Sequence, residues 1–189
     1  MDAIMVALVA VALANADGRT GSFLSRLLAV RGDRRLVFGL AVGAFIVNAV
    51  IAAVAGSVAN RMIGQGIVIL LVAFALLSAA VSLAWPWRTG PEAESLAETP
   101  APLLGGRMLL LQFGDRSHFL IGALAATSGA GHWAAAGGLA GWILAMLPFL
   151  AFGPELAGQR AAKVVRWLGV LVLAVWGLRS GMAAFGLLG

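Results

Sequence analysis

Long apolar runs, broken by short polar stretches, dominate the chain. Six of them approach the roughly 20 residues that a helix needs to cross a bilayer: 2–29, 36–59, 63–85, 108–127, 132–152 and 164–185. Within the runs the apolar residues are continuous rather than alternating. A membrane β-barrel, whose strands alternate apolar and polar residues over about 10 positions, is therefore excluded. The first and fourth runs contain polar clusters: Asn15, Asp17, Arg19 and Thr20 in one, Gln112, Asp115, Arg116, Ser117 and His118 in the other. The pattern predicts an all-α integral membrane protein of six transmembrane helices.

Composition supports a bilayer as the solvent. Of 189 residues 61% are hydrophobic and 11% charged, with a mean hydropathy of +0.98. A soluble domain carries about 25% charged residues. The absence of cysteine excludes disulfides and thiolate metal sites. The net charge of +5 comes from arginines placed between the apolar runs, where topology signals belong, and not from a nucleic-acid-binding face. Arg31, Arg34 and Arg35, then Arg88 and Arg107, then Arg160, Lys163 and Arg166 mark the odd loops, whereas the even loops hold only Arg61. This asymmetry predicts cytoplasmic odd loops and both termini outside, in the periplasm of a bacterial inner membrane. Ala14-Asn15-Ala16 resembles a signal-peptide cleavage site, but Asp2 stands where such a peptide carries positive charge.

The stretch 86–106, with Pro86, Pro91, Pro100, Pro102, Glu92, Glu94 and Glu98, is expected to be a solvated, partly disordered linker. It separates a first three-helix repeat, 1–85, from a second, 107–189. The halves resemble each other: residues 13–20 align with 110–117, and the following runs carry Gly39-x-x-x-Gly43 and Gly137-x-x-x-Gly141. Such glycine pairs allow close helix approach. Three spans per half turn the second repeat upside down. Inverted repeats with polar residues in corresponding spans are the layout of many secondary transporters, whose site lies at the midplane.

A charged side chain at bilayer depth costs about 2.5–3.5 kcal/mol on insertion scales, so such residues are functional candidates. Asp–Arg pairs that merely neutralise each other at a helix break are the plainer account. Two clusters in symmetric positions favour function. Spacing places Gln112, Asp115 and Arg116 on one helix face, and Asn15 with Arg19 on another. Asp17 reaches the same side only if Gly18 lets the helix unwind.

Gln112-Phe113-Gly114-Asp115-Arg116-Ser117 resembles the signature Glu-x-Gly-Asp-(Lys/Arg)-(Ser/Thr) of the Gdt-type cation/proton exchangers, the family of transmembrane protein 165. That family has two such motifs, in its first and fourth spans, and six spans as inverted halves. The resemblance implies proton-coupled transport of Mn²⁺ or Ca²⁺, with Asn15, Asp17, Thr20, Gln112, Asp115 and Ser117 lining the cation site. Asp115 and Asp17 would be metal ligands, and Arg19 and Arg116 their charge partners. Asn15 and Gln112 stand where the family has glutamates, and Asp17-Gly18 reverses its Gly-Asp order. A glutamine cannot take up and release a proton.

His118 is either a proton carrier or a hydrogen-bonding neighbour of the motif. Asn48 and Gln65 read as interhelical hydrogen-bond donors and acceptors. His132 reads as interfacial, Trp85, Trp87, Trp133 and Trp167 as interfacial anchors, and Arg179 as a snorkelling side chain. No nucleotide loop, catalytic triad or cofactor motif appears, so neither an enzyme nor a cofactor is expected. Three functions fit: a divalent-cation transporter, an exporter of an anionic or zwitterionic solute, or a non-transporting membrane subunit. The oligomeric state is open.

Overall fold

The computed structural model of the protein describes residues 2–85 and 93–187. It is helical, without a β-strand among the described residues. The first apolar run is two helices, α1 (Asp2–Ala14) and α2 (Arg19–Val30), bent by 72°. The break has local causes. The Asn15 side chain turns back to donate from Nδ2 to the Val11 carbonyl at 2.8 Å, a side-chain bond that competes with the helix ladder. Gly18 then adopts φ 69°, the left-handed region that glycine enters without steric cost. Two long helices follow, α3 (Arg34–Met62) and α4 (Gln65–Ala84). The second half repeats the order: α5 (Ala101–Gln112) and α6 (Arg116–Ser128), with Gly114 at φ 74° between them, then α7 (Gly131–Phe152) and α8 (Arg160–Ala184).

Among the described residues four helices, α3, α4, α7 and α8, are long and apolar enough to cross a membrane, and five if bent α1–α2 counts as one crossing. The predicted fourth run is two helices of 12 and 13 residues, each shorter than a crossing, with the polar residues 112–118 at their junction. The outward faces are apolar. Ile46, Val47, Val50, Ile51 and Val54 on α3 and Leu168, Leu171, Val172 and Val175 on α8 are all exposed. A continuous surface of this kind fits lipid rather than water.

Packing follows the positions of small residues. α1 lies along α7, α3 along α6 and α5, and α4 along α8, so each broken pair packs on the second helix of the other half. Ala7, Ala10, Val11 and Ala14 form the buried stripe of α1. Opposite them, a Cβ added at Gly137 or Gly141 would overlap the backbone carbonyls of Ile4 or Leu8. This second glycine pair is therefore a close-approach site, as small-residue interfaces in membranes are. The first pair is not: a Cβ at Gly39 or Gly43 would meet nothing within 4 Å. On α3 the corresponding close approach is made by Gly56, against the Gly122 carbonyl of α6. Phe149 of α7 is buried with its ring against Gly18 and Gly21 of the first break.

The described part of the expected linker is structured. Residues 86–92 lie outside the described residues, but Ala93–Leu96 form a 3₁₀ turn and α5 begins at Ala101. Pro102 sits in the first turn of α5, where its missing N–H costs nothing and its fixed φ starts the helix. Leu96 and Leu104 are buried. Arg31 also does more than mark topology. Its guanidinium makes a two-point ion pair with Asp33 at 2.7 and 2.8 Å and donates from one nitrogen to the carbonyls of Leu96, Ala97 and Thr99 at 2.7–3.1 Å. The hydrogen bond from Arg31 holds the Asp33 carboxyl below its ordinary pKa, and the same bond raises the guanidinium. Arg31 thus fastens the connection between the halves to the end of α2.

Candidate functional site

The two helix breaks meet across the interface between the halves. Asn15 donates from Nδ2 to Ser117 Oγ at 2.9 Å, and the Ser117 hydroxyl donates to Asp115 Oδ2 at 2.8 Å. Asn15 and Ser117 are buried. Beside this chain Arg116 pairs with Asp17, NH2 to Oδ2 at 2.6 Å, with both side chains less than one-tenth exposed. The second guanidinium nitrogen donates to Ser82 Oγ of α4 at 3.2 Å, while Nε has no partner. Gly18 is what permits this, because the unwound backbone turns Asp17 toward the other half. Arg116 is thus paired with Asp17 rather than with its neighbour Asp115. Asp115 instead accepts from the Ser117 backbone N–H as the N-cap of α6.

A cavity of about 240 Å³ lies against these groups. Its wall includes Arg19, Thr20, Gln112, Asp115, Arg116 and His118, with Phe45 and Trp142 as its apolar floor. The candidate residues therefore separate into two sets. Thr20, Gln112 and Asp115 line the cavity, together with Arg19 and Arg116. Asn15, Asp17 and Ser117 do not line it, and they bind the halves together behind its wall. Both oxygens of Asp17 are engaged, Oδ2 by Arg116 and Oδ1 by the Arg19 backbone N–H at 3.3 Å. In this structure Asp17, expected as a metal ligand, is the ion-pair partner of Arg116. Gln112 donates from Nε2 to the Ala41 carbonyl of α3 at 3.2 Å, leaving Oε1 buried without a partner. Among the described residues no three His, Asp or Glu side chains converge on one point.

Other polar residues settle into place. Asn48 donates to the Leu109 carbonyl at 3.0 Å, joining α3 to α5 as expected of an interhelical donor. Gln65 does not join helices: it opens α4 and is exposed. His132, Trp85, Trp133, Trp167 and Arg179 are exposed, and Trp87 lies outside the described residues. Ser82, Phe45, Trp142 and Phe149 join the site without having been singled out from the sequence. Ser82 is a lone hydroxyl in an apolar run, and the three aromatics read as ordinary core. Compared with family models, curated proteins and solved structures, the chain matches none.

Proposed function

We propose that the protein is a secondary transporter of divalent inorganic cations, Mn²⁺ or Ca²⁺, built as two inverted three-helix halves with the cavity between the breaks as its site. In this reading α5–α6 is the sixth crossing, the arginine-rich loops are cytoplasmic and both termini are external. The observation that carries it is the meeting of the two breaks, Asp17 on Arg116 and Asn15 on Ser117. Broken helices facing each other across a repeat interface are how such transporters form a site from backbone and side chains. Hard divalent cations take oxygen ligands from carboxylates, amides and hydroxyls. Asp115, Gln112 and Thr20 offer these at the cavity wall, and the Asp17–Arg116 pair next to them is neutral overall.

A second reading has its own support. Arg19 and Arg116 line the same cavity with one carboxylate, Asp115. That balance suits an anionic or zwitterionic solute.

Flux in proteoliposomes separates the two. The cation reading expects Mn²⁺ or Ca²⁺ entry that Asp115→Asn abolishes and Gln112→Glu strengthens. Unchanged flux in Asp115→Asn would remove the cation assignment. A parent protein that carries small anions or zwitterions and no metal would establish the second reading. Reporter fusions after Gly189 test orientation, and activity on the cytoplasmic side would contradict it.

A further inference from the structure

Arg34 and Arg35 open α3, just before its apolar run begins at Leu36. Both are exposed. To mark topology they need only lie near the membrane surface. Their surroundings are more particular than that.

A cavity of about 480 Å³ lies beside them, apart from the one between the helix breaks. Its wall includes Ser25 and Leu28 of α2, Arg34, Arg35 and Phe38 of α3, and Leu150 of α7. Phe38 follows the two arginines by four and three residues, so all three share one side of α3. The volume falls within the range of small-molecule sites, about 300–1,000 Å³.

The charge in this wall has one sign. Among the described residues no carboxylate lines it, and neither Arg34 nor Arg35 has an ion pair. Asp33, next to them in the chain, gives both of its oxygens to Arg31. Arg31 is turned away, onto the carbonyls of Leu96, Ala97 and Thr99. Glu155, in the 3₁₀ turn Pro154–Gly158 after α7, lies with Oε2 beside Gly153. The rest of the wall is apolar and leads into the membrane. Phe38 and Leu150 line the cavity together, and seven residues further along α3 the Phe45 ring stacks on Trp142 at 4.5 Å. The two helices therefore run antiparallel, and the interior of the bilayer lies toward lower numbers on α7. One and two turns inward from Leu150, Leu147 and Leu144 are exposed.

We propose that this cavity binds one anionic phospholipid, with its phosphate held by Arg34 and Arg35 and a chain laid over Leu28, Phe38 and Leu150 toward Leu147. The inference needs only that the protein lies in a bilayer, and it does not depend on what the protein carries. Guanidinium groups match phosphate oxygens with paired, charge-assisted hydrogen bonds. A zwitterionic lipid also brings a phosphate, but its ammonium would meet the same two arginines with no acid in the wall to receive it. A free phosphate would leave the apolar wall uncovered. Basic pockets between transmembrane helices are where lipid headgroups are recognised. The wall joins α2 of the first half to α7 of the second, and Leu150 follows Phe149, whose ring lies against Gly18 and Gly21. A lipid seated here covers a seam between the halves and stabilises it.

The test uses the full chain, freed of lipid in detergent. It is titrated with phosphatidylglycerol, or with phosphatidylcholine of the same chains, and bound lipid and melting temperature are read. The parent should bind phosphatidylglycerol about 30-fold more tightly, the worth of two basic residues at an anionic surface, and should melt at a higher temperature with it. Inorganic phosphate at the same concentration should neither compete nor protect. Arg34→Gln with Arg35→Gln should abolish the preference and keep the parent's melting temperature in phosphatidylcholine, because both side chains are exposed and without an ion pair among the described residues. Arg160→Gln with Lys163→Gln removes the same charge outside the wall and should leave the preference intact. A parent without preference, or a preference that survives loss of Arg34 and Arg35, would overturn the proposal. So would an equal fall in both double variants, which would mean general attraction to basic charge. Phosphate that protects as well as phosphatidylglycerol would replace the lipid site with a free-anion site.

Discussion

The two helix breaks are built from the same residue types in opposite order, and the order decides what each aspartate does. In the second break glycine comes first. Gly114 takes the left-handed turn and Asp115 follows as the N-cap of α6, its Oδ2 accepting from Ser117. In the first break aspartate comes first. Gly18 itself occupies the N-cap of α2, without a side-chain cap, and Asp17 is left free to cross to Arg116 of the other half. The order of two neighbours along the chain thus separates a carboxylate that caps the start of a helix from one that joins the two halves.

The largest effect expected from breaking this arrangement comes from Asp17→Asn. It strands the Arg116 guanidinium in a buried site, and losing one partner of a buried pair costs about 3–5 kcal/mol. Asp115→Ala removes a cap and should cost about 0.5–2 kcal/mol. Unfolding in mixed micelles would compare them. Adding Arg116→Gln to Asp17→Asn should recover much of the loss, and a double variant whose loss is the sum of the two singles would deny the pairing.

The glycines sharpen the contrast. Gly18→Ala meets both a strained φ and the Phe149 ring, whereas Gly114→Ala meets only the φ, since open space surrounds it. A left-handed non-glycine residue costs about 1–2 kcal/mol. Gly18→Ala should exceed that and be partly relieved by Phe149→Ala, with Gly114→Ala near it and indifferent to Phe149. Thermal melts of the four variants test this, and equal losses at both glycines would show that the ring is not a constraint.

The smallest effect lies outside the breaks, at the Arg31 fastening. The Asp33 carboxyl is held below its ordinary pKa by Arg31. A depressed carboxylate contributes stability that is present above its unfolded pKa, about 4, and is lost as pH falls through its folded value. Amide exchange across 93–99 should therefore be insensitive to pH between about 8 and 5, once intrinsic rates are divided out, and should speed up only below about 4. Arg31→Gln should show the faster exchange at every pH. Loss of protection already near pH 6 would assign the fastening to another group.

Much of this was legible from residue order alone. Four of the apolar runs fall on single long helices, and the first and fourth fall on broken pairs with the polar clusters at the breaks. Even the condition for Asp17, that Gly18 unwind the backbone, could be stated in advance because only glycine takes that φ without cost. What could not be read was who faces whom. A spacing of three or four assigned Gln112, Asp115 and Arg116 to one face of a continuous helix, but Gly114 interrupts the helix and sends Arg116 to Asp17, 99 residues away. Matched Gly-x-x-x-Gly pairs promised two equivalent close contacts. Only Gly137 and Gly141 make one, because the approach of α3 to its partner occurs further along, at Gly56. The prolines of 86–106 suggested disorder, though at a helix start the same residue is a nucleating one. Pairings between distant segments depend on the packing of the whole bundle, and local periodicity carries no record of it.

Phe149 has a mechanical consequence. It follows Pro148 inside α7, and a proline there leaves the Leu144 carbonyl without its usual helical donor and lowers the resistance to bending. Its ring is wedged against Gly18 and Gly21 of the first break. The contact ties the helix that carries Pro148 to the first break. A bend of α7 at Pro148 would therefore press the ring against the first break or draw it away.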